Sequence, residues 1–242
     1  MLLKKPLFVR HCGNWTAPKT AADHFWKWLM VRFVGGRNVM LATGGAADPP
    51  CPRNPEIHWI FSTSLSEAEL AALAARHRSF HPGSALRLII ACRQVPGKGT
   101  DVVIRALPQI LKEFPLATLE VVGDGSALEN FKTLAQNEGV TRQVTFHGNV
   151  DHDQVIKLLQ RADLLCYPTT SSEGFPKIVL EALACGLPVV STPVSVLRSL
   201  VGKERGVLLE KASPEAVACA VKYCLEDGEK IAEKTLNARL GI

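Results

Sequence analysis

The chain has 242 residues, 47% of them hydrophobic, and a formal charge of +5, proportions that fit one or two folded domains with a sizeable core. No apolar run approaches the roughly 20 residues of a membrane-spanning helix, and the opening MLLKKPLFVRHCGNW lacks the long apolar stretch and small-residue cleavage site of a secretory leader, so a cytoplasmic location is expected. Seven scattered cysteines, none in a C-x-x-C pair, suggest neither a disulfide framework nor a zinc site.

In chain order, strands are predicted at PLFVR, NVMLATG and near IHWIFSTS, with a helix over AADHFWKWLMVRFV after the first of them. This amounts to about half of a Rossmann-like domain. Phe25, Trp26, Leu29, Met30 and Phe33 fall near one face of the helix and are expected in the core rather than in a membrane. GGAADPPCPRNP, Gly44 to Pro55, reads as a turn-rich crossover, and HPG at His81–Gly83 as the boundary between a partial segment 1–80 and a complete domain 81–242. Residues 1–80 hold 10 Lys/Arg against 5 Asp/Glu, and 81–242 hold 18 against 18. The excess is compatible with a solvated face or with an anionic partner such as a membrane surface, and the localisation expected is cytoplasmic with room for a peripheral position on the inner face of a membrane.

From Ala85 onward short apolar runs alternate with helical patterns: ALRLIIACR, DVVIRALPQILKEF, ATLEVVGDG, SALENFKTLAQNEG, QVTFHGNV, DHDQVIKLLQRA, DLLCYPT, FPKIVLEALACG, LPVVSTPV, GVLLE and SPEAVACAVKYCLED. Near-continuous apolar strands between helices predict an α/β fold, a Rossmann-like doubly wound parallel sheet preceded by a partial second Rossmann-like domain. Thr100 or Asp101, Ser126, and Ser213 followed by Pro214 mark helix starts. Ligands of such sheets bind at the carboxyl ends of the strands, which directs attention to the loops after Cys92, Val122, Phe146 and Tyr167.

The sharpest feature is Glu173, Gly174, Phe175, Pro176 and, after seven intervening residues, Glu181. Glu173 falls in a strand-to-helix loop and Pro176 suits the first turn of the helix that carries Glu181 in its second. Each carboxylate can accept hydrogen bonds from a pair of neighbouring hydroxyls, as a sugar and a ribose present them, and the helix N-terminus offers N–H groups suited to phosphate. Arg93 and Lys98 stand on one loop, Cys92–Gly99, where two cations can neutralise a diphosphate. Gly123-Asp124-Gly125 and Phe146-His147-Gly148 close two further strands, glycines permitting close approach of backbone to a ligand. His147 is read as a possible hydrogen-bond donor or, more plainly, a structural residue at a strand end.

Over Ala85 to about Asp227 the sequence resembles the retaining glycosyltransferases of the GT-B fold, family 4 type, through SSEGFPKIVLEALACGLPVV, the Arg93/Lys98 loop and the two glycine turns. The resemblance implies that Glu173 holds hydroxyls of a donor sugar and Glu181 the ribose, that Arg93 and Lys98 hold the diphosphate without a metal, and that Gly174, Phe175, Pro176, Gly123, Gly148 and Val150 line the donor site, Asn149 and Val150 lying near the base. Cys92 replaces the family's glycine, which suggests a slightly shifted loop. Residues 1–80 would be the later part of the acceptor-side domain, and the chain reads as truncated at its N-terminus.

The function expected is therefore transfer of a hexose from a nucleotide sugar, with retention of configuration, to a carbohydrate, lipid-linked or other acceptor. No cofactor, no metal and no nucleic acid is called for, and peripheral membrane contact is compatible with the charge. The alternatives are a non-catalytic nucleotide-binding fragment, or another GT-B enzyme such as a sugar epimerase. A dinucleotide oxidoreductase is disfavoured, since no G-x-G-x-x-G follows a first strand.

Overall fold

The structure, a computed structural model, describes residues 5–11, 15, 20–43, 49–60, 64–74, 85–171, 175–202 and 205–226. The chain forms two compact units, Met1–Thr63 with Ser172–Pro176, and Ser64–Ser171 with Lys177–Ile242. Among the described residues each is built on a wholly parallel sheet.

The first unit holds β1 (Phe8–His11), α1 (Ala21–Phe33), β2 (Val39–Thr43) and β3 (Ile57–Ile60), with sheet order β1-β2-β3. A capping box starts α1: the Thr20 hydroxyl accepts from Asp23 N–H at 3.1 Å, and the Asp23 carboxylate accepts from Thr20 N–H at 3.0 Å. The core is Trp15, Met30, Met40, Ala42 and Ile57. The aromatic stripe of α1 does not join it. Met30 alone of the five expected residues is buried, while Phe25, Trp26 and Phe33 are 52%, 48% and 41% exposed. The inward side is instead the strip of Lys27, Met30, Val31 and Val34, because Trp15 occupies the space beneath it. Its carbonyl takes a 3.0 Å hydrogen bond from Lys27 Nζ, and the ammonium lies 5.1 Å from the indole centroid.

The second unit runs α2 (Glu67–Ala74), β4 (Arg87–Ala91), α3 (Thr100–Glu113), β5 (Thr118–Val122), α4 (Leu128–Asn137), β6 (Val144–Gly148), α5 (His152–Arg161), β7 (Leu164–Tyr167), α6 (Lys177–Ala184), β8 (Val189–Ser191), α7 (Leu197–Val201), β9 (Gly206–Leu208) and α8 (Pro214–Glu226). Its sheet order is β6-β5-β4-β7-β8-β9. Strands alternate their side chains between two apolar layers. Leu88, Ile90, Leu119, Val121, Leu164 and Cys166 face the layer of α3, α4 and α8, whereas Ile89, Ala91, Val122, Leu165 and Tyr167 face α5, α6 and α7. Burial on both faces is why these strands read as unbroken apolar runs. Each fully buried Leu, Ile or Val contributes about 1.5–3 kcal/mol relative to exposure. Cys166 and Cys224 lie in the first of these layers, where burial pushes the Cys224 thiol up to about 12 and Cys166 higher still.

By compactness the second unit takes in Ser64 onward, Leu65 and Leu73 being buried in the α5–α7 layer, and the HPG break lies outside the described residues. The helix α2 lies where the sequence reading placed no element. Its start is marked by Ser66 and Glu69, the Ser66 backbone N–H and hydroxyl donating to the Glu69 carboxylate at 2.7 and 2.6 Å. Thr100 and Asp101 lie inside the first turn of α3, whose N-cap is Gly99 at φ 96°, and Ala127 rather than Ser126 caps α4. Ser213 does open α8, its hydroxyl accepting from Ala216 N–H at 3.2 Å ahead of Pro214.

Candidate active site

In the second unit the order of strands reverses between β4 and β7, and such a switch point opens a crevice beyond the carboxyl ends. A cavity of about 460 Å³ lies at these ends. Ala91, Cys92 and Arg93 enter it from the end of β4, Val122, Gly123 and Asp124 from β5, and Asn149 and Val150 from the turn after β6. His152 and Val155 of α5 and Ile178 and Glu181 of α6 complete its wall.

The loop after β4 is held by a residue that motif matching passed over. Gln94 is 0% exposed. Its Nε2 donates to the carbonyls of Val122 (2.9 Å) and Cys92 (3.1 Å), and its Oε1 accepts from the Thr100 hydroxyl (2.7 Å). Its backbone N–H donates to Asp124 O at 2.9 Å, and its carbonyl accepts from Ala127 N–H at 3.0 Å. A buried amide with its groups satisfied in this way fixes the loop. Close packing demands glycine at two neighbours: a Cβ on Gly123 would stand 2.0 Å from the Cys92 carbonyl oxygen, and one on Gly125 2.3 Å from that of Gln94. Cys92 itself has no positive φ, so it stands in place of glycine without backbone strain.

The same loop is tied to the turn after β7. Gly97, at φ 84°, offers its carbonyl to Thr170 N–H (2.8 Å), Ser171 N–H (3.2 Å) and the hydroxyls of Thr169 (3.1 Å) and Ser171 (3.2 Å). The Ser191 hydroxyl donates to Tyr167 O at 2.8 Å and the Thr192 hydroxyl to Thr169 O. The turn Thr169–Ser171 is thus tied to the loop after β4 and to the end of β8.

Among the predicted site residues, Arg93, Gly123, Val150 and Glu181 come together in the cavity. Lys98 is half-buried on the same loop but is not part of the cavity wall. Gly148 is not part of it either; it ends β6 at φ 65° and accepts from Gly123 N–H at 2.8 Å, so it shapes the floor from behind. Phe175 and Pro176 directly precede α6 and group with the first unit. Glu173 and Gly174 lie outside the described residues. His147 is not part of the cavity wall and pairs with Glu120 across β5 and β6. The Asp124 carboxylate accepts from Gly125 N–H at 2.6 Å, a turn role. Among the described residues no group of three or more His, Cys, Asp or Glu is placed to hold a metal ion.

Glu181 sits in the second turn of α6 with its side chain 7% exposed. Its Oε1 accepts from the Ser64 hydroxyl and lies 3.3 Å from His152 Nε2. Neither donor was evident in the sequence, since both reach Glu181 from remote segments.

Residues 74–240 match the family described as "Glycosyl transferases group 1". Among curated proteins, the chain is 31% identical over 166 residues to a GDP-mannose-dependent alpha-(1-6)-phosphatidylinositol monomannoside mannosyltransferase of Mycolicibacterium smegmatis, a match that covers 63% of this chain and 42% of that protein. It is 30% identical over 196 residues to a glycogen synthase of Mycobacterium tuberculosis, covering 77% and 46%. The chain therefore spans less than half the length of either relative. Among solved structures, Anabaena HepE in complex with UDP superposes with a TM-score of 0.76 at 21% identity, over 98% of this chain and 67% of that one. The α/β architecture with parallel sheets is that of GT-B glycosyltransferases.

Proposed function

The chain belongs to the glycosyl transferases group 1 family, and from that premise we propose that it is the donor-binding part of an enzyme that transfers a hexose from a nucleoside diphosphate sugar with retention of configuration. The observation that carries this is the convergence of Arg93 and the buried, hydrogen-bonded Glu181 on one cavity at the switch point of the sheet. Arg93, seconded by Lys98, holds the diphosphate; Glu181 holds the ribose; Glu173 holds the hydroxyls of the sugar. In the transfer step the acceptor oxygen bonds to the anomeric carbon as the bond from that carbon to the diphosphate oxygen breaks. The acceptor proton passes to the departing diphosphate, so no protein nucleophile is required. The arginine offsets charge as it gathers on the leaving group.

Glu181→Ala should weaken binding of the nucleoside diphosphate by about 1–3 kcal/mol, because a charge-assisted partner of the ribose is lost. Glu173→Ala should leave that affinity unchanged and depress sugar transfer. Titration calorimetry with the diphosphate, paired with a transfer assay, separates the two roles; equal losses of affinity in both variants would refute the assignment.

The acceptor is proposed to be a carbohydrate or lipid-linked one, in keeping with the lipid named as acceptor of the mycobacterial relative. Peripheral membrane contact is part of the same proposal. Its support is the exposed ring cluster of Phe25, Trp26, Trp28 and Phe33 on α1, with Arg32 stacked 5.6 Å from Phe33, within the part of the chain that carries the excess positive charge. Vesicles rich in anionic lipid should retain the protein on flotation, and a Trp26→Ser, Trp28→Ser pair should release it. Equal retention of that variant would dismiss α1 as the contact.

A further inference from the structure

We infer that His152 is a positioning residue for the ribose carboxylate: it acts on the nucleotide through Glu181, with Ser64, by holding one carboxylate oxygen so that the other faces the ligand. The inference rests on the assignment of Glu181 to the ribose made above.

The geometry is one-sided. The Ser64 hydroxyl and His152 Nε2 both meet Oε1 of Glu181, and among the described residues nothing donates to Oε2. A carboxylate oxygen has about two good acceptor directions, so two protein donors fill Oε1 and leave Oε2 as the acceptor for ribose hydroxyls. A carboxylate with its side chain 7% exposed also needs such donors to satisfy its buried oxygen. Facing an acceptor, His152 must carry its proton on Nε2 in the neutral form.

His152 is itself fixed by its element. It is the first residue of α5, whose N-cap Asp151 accepts from Gln154 N–H at 2.7 Å, so the backbone that aims the imidazole is set by a capped helix start. Glu69 of α2 lies near enough to interact electrostatically with the same imidazole. Its carboxyl is held below the usual value first by hydrogen bonds from Ser66 and then by His152. Ser64 stands just before α2 and His152 opens α5, so two segments distant in sequence converge on the carboxylate that α6 carries. His152 is 38% exposed and lines the cavity. Direct contact with the nucleotide is therefore the competing role, and the two differ in what happens once Glu181 is removed.

The test is a double-mutant cycle on the full chain, read by titration calorimetry with whichever of UDP, GDP and ADP gives the largest thermal shift, and with its 2′-deoxy counterpart. His152→Ala should weaken the ribonucleotide roughly tenfold, the scale of one charge-assisted hydrogen bond, and the deoxynucleotide much less. His152→Gln, whose amide can donate from nearly the same point as Nε2, should restore most of the loss. In a Glu181→Ala background His152→Ala should add less than about twofold. Additive losses, equal losses on ribo- and deoxynucleotide, or no rescue by glutamine would overturn the positioning role while leaving the ribose assignment standing. If Glu181→Ala alone changed nothing, the ribose assignment itself would fall and the inference with it.

Discussion

Gly123→Ala should be among the most damaging single substitutions in the second unit, at about 3 kcal/mol or more of stability, and what still folds should bind nucleotide poorly. Two costs add. At φ 109° an L-residue is strained by roughly 1–2 kcal/mol. Its Cβ would also stand 2.0 Å from the carbonyl oxygen of Cys92 and 3.0 Å from the carbonyl carbon. Those are backbone atoms, so no rotamer can relieve the contact. Either the end of β4 moves, taking Arg93 out of line, or the ladder between β4 and β5 parts at the cavity. Gly139→Ala is the matched control, since Gly139 has φ 71° and nothing within 4 Å of its added Cβ, and it should lose only about 1–2 kcal/mol. Urea unfolding midpoints compare the two. Indistinguishable values would mean that the approach of Gly123 to Cys92 does not constrain the fold.

A double substitution, Arg93→Ala with Lys98→Ala, should weaken nucleoside diphosphate by on the order of 3 kcal/mol, roughly a hundredfold, and leave the nucleoside nearly untouched. On the proposed role the cations act on the diphosphate alone, so a ligand without phosphate has nothing to lose. Arg93 should account for the larger share, because it lines the cavity and Lys98 does not. Binding by the wild type is expected to persist in excess EDTA and to gain little from magnesium if, as proposed, the two side chains take the place of a divalent ion at the phosphates. Calorimetry of both ligands, with chelator and with magnesium, decides the matter. A wild type that binds only with magnesium, or a double variant that loses nucleoside and diphosphate in parallel, would remove the charge-neutralising role from this loop.

The second unit was legible in the sequence because its sheet is buried on both faces. ALRLIIA and LPVV could be nothing but interior strands, and their alternation with helical patterns left one class of fold. In the first unit the pattern misled. Five apolar positions on AADHFWKWLMVRF looked like a core face, yet the inward side is chosen by Trp15, a residue outside the helix, which draws Lys27 inward and turns the rings outward. Helix α2 was overlooked because SEAELAALA carries no clear helical apolar period, and the burial of Leu65 and Leu73 beside it depends on their meeting a distant core. Arg93, Gly123, Val150 and Glu181, named from local motifs and the resemblance, line one cavity. Gln94, Ser64 and His152 were missed because their roles exist only through partners far along the chain: Val122 for Gln94, Glu181 for the other two. Glu173, the residue that the motif made most prominent, lies outside the described residues.

The placing of β4 between β5 and β7 has a further consequence for how the crevice comes into being on the ribosome. Arg87 at the start of β4 hydrogen-bonds Asp163, at the entrance to β7, across 76 residues, and Gly97 meets Ser171 across 74. Elongation at about 5–20 residues per second separates the emergence of these partners by roughly 4 to 15 seconds. During that interval β4 can pair with β5, but its other edge is an open row of amides and carbonyls, and the carbonyl of Gly97 waits for water or a stranger. The nascent chain is thus most prone to wrong pairing just before the segment Leu164–Ser171 leaves the exit tunnel. A translational pause placed there would prolong the hazard, and one placed after α6 would let the crevice seal first.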